Sequence, residues 1–132
     1  MFYRSENIRR LAEVAVHLAR NGHIAIVAAV SPAREDRAAA RRIADTAFRE
    51  IYVATPVEVC ESRDPKGHYA KARAGALHGF TGTGNYYQPP AGCELTIDTS
   101  ARSVPDATDE IERMLARTGI LFDELVDLAA NI

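Results

Sequence analysis

Residues 24–30 read IAIVAAV, seven apolar side chains in succession with no charge, glycine or proline among them. The run is too short for a helix of its own. A continuous apolar pattern of this length is the mark of a parallel strand buried on both faces, because a half-exposed strand alternates instead. On either side of it the period changes. Ile8, Leu11, Ala12, Ala15, Leu18 and Ala19 recur at helical spacing, so residues 5–21 are expected to form an amphipathic helix closed by Asn21-Gly22. Ser31-Pro32 supplies a cap residue and a first-turn proline for a second helix at about 33–46.

The alternation continues down the chain. Residues 48–54 (FREIYVA) read as the next strand. Thr55-Pro56-Val57-Glu58 has capping-box spacing, which predicts a short helix to about Arg63. Residues 64–92, rich in Gly, Pro, Lys and Tyr, suit an exposed insertion with one short helix near 68–75. Residues 94–98 (ELTID) make a third short strand, and residues 105–117 a helix broken by Gly119. The expected architecture is α/β, a parallel-sheet sandwich of about three strands with flanking helices. Residues 1–120 are read as one domain, and residues 121–132 as a C-terminal helical extension.

Composition narrows the classes of function. With 132 residues, 47% hydrophobic and 26% charged, the chain suits one soluble globular domain and not a disordered, fibrous or collagen-like one. A net charge of −2 gives no global reason to expect nucleic acid as a partner. Nor is a membrane expected, since a bilayer span needs ~20 apolar residues. No basic-then-apolar leader opens the sequence, and Cys60 and Cys93 lack CxxC spacing, so two reduced thiols in a cytoplasmic protein are expected. His17, His23, His68 and His78 share no metal-ligand spacing, and no metal site is assigned. The charges are uneven: residues 1–80 hold 13 basic and 9 acidic side chains, residues 81–132 hold 3 and 9. Nucleotides and sulfated or phosphorylated metabolites would prefer the first part, although arginine-rich helix faces are also often simply solvated. Fourteen of the sixteen cations are arginines, and Lys66 and Lys71 are the only lysines.

Five short segments carry chemistry: RSENIRR at 4–10, SPAREDR at 31–37, RDPKGHYAKARAG at 63–75, FTG at 80–82 and NYYQPP at 85–90. Alone, the first suits an ordinary helix start with a solvated basic face. The second suits a helix N-cap, where backbone N–H groups and the helix dipole meet to favour an anion. In the third, Asp-Pro and Lys-Gly turns lead into a helix bearing Lys71 and Arg73. It reads either as a basic lid over a polyanionic substrate or as a solvated surface loop. Tyr86 and Tyr87 either line a nucleotide pocket or pack the loop.

Taken together and in this order, the segments resemble the adenylylsulfate kinase (APS kinase) family, which phosphorylates the 3′-hydroxyl of adenosine 5′-phosphosulfate with ATP. The pattern R-x-E-N-[IV]-R-R stands at residues 4–10 and the I-S-P-[YF] turn at 30–33. The block V-C-E-x-R-D-x-K-G-L-Y-K-K-A-R-A-G stands at 59–75, F-T-G-I-D at 80–84 and Y-x-x-P at 87–90. The resemblance covers residues 4–99, with a weaker echo to Ile120. It implies a P-loop-kinase-like sandwich and direct phosphoryl transfer, in which positioning and charge stabilisation do the work of catalysis. It implies that Arg4 and Asn7 hold the adenylylsulfate, that Phe80 stacks on its adenine, and that Lys71 neutralises charge on the anionic substrates. Ser31 would face the substrate site, so Ser31 and Lys71 are the candidate catalytic residues. Arg63 and Lys66 would lie beside the nucleotide. ATP and magnesium are the cofactors it implies.

The departures bear on the same points. A G-x-x-x-x-G-K-[ST] phosphate loop needs a lysine before Ser or Thr, yet Lys66 precedes Gly67 and Lys71 precedes Ala72. The family's Asp-Gly-Asp segment is absent too, Ala33 replaces the aromatic after Ser-Pro, Ala70 replaces the first lysine of the lid pair, and Thr83-Gly84 replace Ile-Asp. The sequence resembles the C-terminal two thirds of the family's domain, without its central P-loop strand. ATP and magnesium are therefore not expected to bind this chain tightly by itself. A homodimer or a complementary chain is expected to cover the strand edges thus left open. The alternative reading is a non-catalytic module that binds a sulfated adenine nucleotide or a partner chain.

Overall fold

The computed structural model describes residues 2–77 and 86–120. These divide between two compact units, Met1–Arg49 with Gly79–Ala91, and Glu50–His78 with Gly92–Ile132. The FTG segment with Phe80, and the expected last helix at 121–130, lie outside the described residues.

The first unit is helical. Helix α1 (Phe2–Arg20) buries Ala12 and half-buries Ile8, Leu11, Ala15 and Val16, the stripe its 3.6-residue period dictates. Its first turns carry an ion-pair lattice: Glu6 bridges Arg9 at 2.7 Å and Arg10 at 2.8 Å, three and four residues away. The Asn21 side-chain amide donates to the His17 carbonyl at 2.7 Å, and Gly22 at φ 84° turns the chain out of the helix. Helix α2 (Arg34–Ala44) packs against α1 and buries Ala40 and Arg37.

Two expectations are corrected in this unit. The apolar run 24–30 pairs with no described segment, and Ile24, Ile26, Val27 and Val30 are exposed, Ile26 by 88%. A strand exists only through its ladder, and among the described residues nothing supplies a partner for this one. Secondly, Ser31 does not cap α2. The helix starts after Ala33, which makes no side-chain cap bond, and Ser31 stands two residues earlier at φ 41°. That left-handed angle is uncommon for a residue with a Cβ.

The second unit holds a two-stranded parallel sheet, one strand fewer than expected. Strand β1 (Ile51–Val53) pairs with β2 (Leu95–Ile97) in the register Ile51–Leu95, Tyr52–Thr96, Val53–Ile97. The ladder is closed at its start by the Glu50 N–H, which donates to the Glu94 carboxylate at 2.6 Å. Between the strands lie α3 (Val57–Arg63) and α4 (His68–Arg73), and β2 leads into α5 (Val104–Arg117). Ile97 and Met114, 2% and 1% exposed, form the centre of the core between β2 and α5. Ser103 and Asp106 make a reciprocal capping box on α5, and Gly119 at φ 75° follows its end.

The capping box expected at Thr55 is absent. Pro56 is the residue before α3 and makes no side-chain cap bond. The Thr55 hydroxyl faces across the sheet instead, 2.7 Å from the Thr99 hydroxyl and accepting the Thr99 N–H at 3.0 Å. A cross-strand hydroxyl pair outcompeted the local helix cap.

Candidate functional site

The described site residues read from the sequence fall on three stretches, two in the first unit and one in the second, and Phe80 lies outside the described residues. On α1, Arg4 and Asn7 are exposed and three residues apart, which puts them on neighbouring positions of one helix face. Arg9 and Arg10 of the same motif are engaged by Glu6 and Glu13. The two arginines hold Glu6 well below the usual carboxylate range, at about 2. The motif therefore separates into a self-neutralised ridge and the exposed pair Arg4 and Asn7. Ser31 belongs to the same unit and is half-buried.

In the second unit Arg63 ends α3, Lys66 lies on the α3–α4 turn and Lys71 lies within α4. Asp64 builds the turn: its carboxylate accepts the N–H of Tyr69 at 3.1 Å and of Ala70 at 3.0 Å, satisfying donors that the start of α4 leaves open. Partial desolvation pushes the Asp64 carboxyl up, but the N–H groups of Ala70, Tyr69 and His68 outweigh it and hold the group below its ordinary value. Gly67 at φ 66° makes the left-handed bend into α4. The arginines here are spoken for. The Arg63 guanidinium donates to the Thr99 hydroxyl at 2.8 Å and the Thr99 carbonyl at 2.6 Å, and Arg73 forks onto both oxygens of Glu61 at 2.5 and 2.7 Å. Lys66 and Lys71 are exposed, and among the described residues neither ammonium has a hydrogen bond or an ion pair. An ammonium left in this state is a point charge available to an anion.

One arrangement went unread in the sequence. The Gln88 side-chain oxygen accepts the Arg34 N–H at 2.9 Å, and the Gln88 N–H donates to the Pro32 carbonyl at 2.9 Å. The Arg34 guanidinium donates to the Pro89 carbonyl through Nε at 3.1 Å and Nη2 at 2.7 Å. Arg37 donates to the carbonyls of Ser31 and Gln88 and lies 5.3 Å over the Tyr87 ring. Tyr87 thus packs, one of the two roles open to it. At the start of α2 the first N–H, that of Arg34, is taken by the Gln88 side chain. Local patterning carries no signal for bonds between residues more than 50 apart.

Parallel strands with helices between them define an α/β protein. The family model described as adenylylsulphate kinase matches residues 2–98. The chain belongs to the adenylylsulfate kinase family. It is 43% identical over 122 residues to an adenylyl-sulfate kinase of Shewanella pealeana, a match covering 92% of this chain and 60% of that one. It is 44% identical to an adenylyl-sulfate kinase of Synechococcus sp., covering 88% and 66%. A solved structure of the Mycobacterium tuberculosis APS kinase CysC, in complex with AMPPNP and APS, superposes with a TM-score of 0.82 at 44% identity, covering 87% of this chain and 68% of that one. The fold is accordingly that of the P-loop-kinase-like sandwich. The chain spans about 60% of the length of the Shewanella relative. Among the described residues no helix is long and apolar enough to cross a membrane.

Proposed function

We propose that this chain is the acceptor-nucleotide part of an adenylylsulfate kinase. It binds adenosine 5′-phosphosulfate for transfer of the γ-phosphoryl group of ATP to the 3′-hydroxyl. The observation that carries the reading is the pair of unengaged ammonium groups among the described residues, Lys66 on the α3–α4 turn and Lys71 in α4, beside Arg63 and Arg73, which are committed to protein partners. That turn lies inside the block that most resembles the family. Lys71 supplies charge to the sulfate and phosphate oxygens, Arg4 and Asn7 bind the acceptor from α1, and Ser31 faces it from the turn before α2. Phe80 is assigned to the adenine, Arg63 and Lys66 to the neighbouring nucleotide. The APS kinase named above is described in complex with both AMPPNP and APS, which supports one nucleotide of each kind.

The donor side is different. No lysine in the sequence precedes Ser or Thr, as a phosphate loop requires. The residues present do not fit a triphosphate with magnesium, and no step is derived through them. Calorimetric titration of the full chain with adenosine 5′-phosphosulfate tests the reading, alongside an assay for the 3′-phosphorylated product. Saturable binding supports it, and a folded chain that binds no adenosine 5′-phosphosulfate at millimolar concentration overturns it.

A second reading rests on the exposed run 24–30: a binding module that holds the nucleotide without turnover and takes a second copy or a complementary chain against that edge. Light scattering separates the two, since a strict monomer that forms product leaves this reading without support.

A further inference from the structure

The strongest unassigned feature is the cluster around Arg37, the one charged side chain buried among the described residues, at 8% exposure. A buried charge costs several kcal/mol unless its donors are satisfied. Here two guanidinium nitrogens and the guanidinium face are engaged. One nitrogen donates to the Ser31 carbonyl, another to the Gln88 carbonyl, and the face lies over the Tyr87 ring. These partners come from two segments, the turn before α2 and residues 87–89, which Gln88 and Arg34 also join. Ser31 needs such a hold. Its φ of 41° is a conformation that an unrestrained serine before proline rarely takes, and its carbonyl is one of the two that Arg37 grips.

We propose that Arg37 is a positioning residue: its guanidinium fork locks residues 87–89 onto the Ser31 turn, so that the turn keeps its acceptor-facing conformation only while that strap is docked. The inference rests on the proposed function for the direction Ser31 faces, though not for the lock itself. Arg37 is too buried to serve as a ligand contact, so its effect runs through Ser31. Lysine cannot replace it, because a single ammonium neither spans two carbonyls with fixed geometry nor stacks flat on a ring.

The test uses the full chain with R37K and, as a variant that leaves the buried charge in place, Q88A. Amide hydrogen exchange is read at the Arg34 and Gln88 N–H groups, with Ala107 and Thr118 in the other unit as controls. Both variants should speed exchange at Arg34 and Gln88 together, by roughly tenfold or more, and leave the controls unchanged. Both should also weaken adenosine 5′-phosphosulfate binding by about tenfold, with the double variant no worse than R37K, since both act through one lock. Uncoupled exchange at the two sites, or wild-type affinity in a variant whose lock has opened, overturns the proposal. A merely structural Arg37 would lower the melting temperature and leave the affinity of the folded fraction alone. If R37K fails to fold, Q88A decides on the same two readouts. Failure of the wild-type chain to bind the nucleotide counts against the proposed function, while the exchange experiment still decides the lock.

Discussion

Among single residues, the contrast between engaged arginines and unengaged lysines decides what each substitution should do. Lys71→Ala removes an ammonium with no described partner, so stability should stay within about 0.5 kcal/mol of the parent. Its loss should weaken adenosine 5′-phosphosulfate binding by about tenfold or more, and the difference from the parent should shrink as salt rises. Calorimetry at two ionic strengths checks both. Glu6 gives the opposite kind of expectation. Hydrogen bonds from Arg9, then Arg10, lower its pKa from the ordinary 4.5 to about 2. A carboxyl depressed by folding contributes stability above its unfolded value, and that contribution is lost as pH falls through the folded one. The helicity of α1 should therefore decline between pH 4.5 and about 2 in the parent. Glu6→Gln should remove that part of the decline, as circular dichroism against pH would show. The pair is solvent-exposed, so the effect should be small and should diminish in salt.

In the individual elements, local chemistry and long-range pairing divide what could be read in advance. Helix α1 was legible from its 3.6-residue apolar stripe and its Asn21-Gly22 end and α5 from its Gly119 break, whereas α2 was placed by a Ser31 cap it does not use. The sheet was half legible. Residues 51–53 and 95–97 found each other, whereas IAIVAAV, the most strand-like segment by composition, found no described partner. A strand is a property of two segments, and sequence pattern reports on one at a time. The helix caps show the same division. Thr55 was read as a helix cap and Ser103 was not. Ser103 caps α5, while Thr55 is drawn to Thr99 across the sheet. Ser103→Ala should accordingly cost about 1 kcal/mol of stability, as a lost N-cap does, and loosen the first turn of α5. Denaturant unfolding gives the first quantity, and exchange at the Asp106 N–H, held by the Ser103 hydroxyl at 3.2 Å, gives the second. For the candidate site, Lys66 and Lys71 stand out in the sequence as the only lysines in an Arg-rich chain, and the structure adds that both are exposed. The lock around Arg37 was not, because its partners lie across the chain.

For the chain as a whole, charge and length bear on the same question. The basic excess lies in residues 1–80, with the candidate acceptor residues Arg4, Asn7, Ser31 and Lys71, and the acidic excess in residues 81–132. The acceptor carries a phosphosulfate and needs only cations and polar side chains of the kind found here. A donor triphosphate needs a backbone cradle with its own lysine, which this sequence does not contain. The two ligands should therefore part company. Titration with adenosine 5′-phosphosulfate should give saturable heat, and magnesium–AMPPNP should give none at the same concentrations. A polypeptide carrying a phosphate loop and an apolar strand should restore AMPPNP binding, and on doing so it should slow exchange across residues 24–30, where Ile26 and Val30 now face solvent. AMPPNP bound tightly by the chain without such a partner would show that the donor site is built from other residues than the resemblance implies. Restored binding with unchanged exchange at 24–30 would show that the apolar run serves something else.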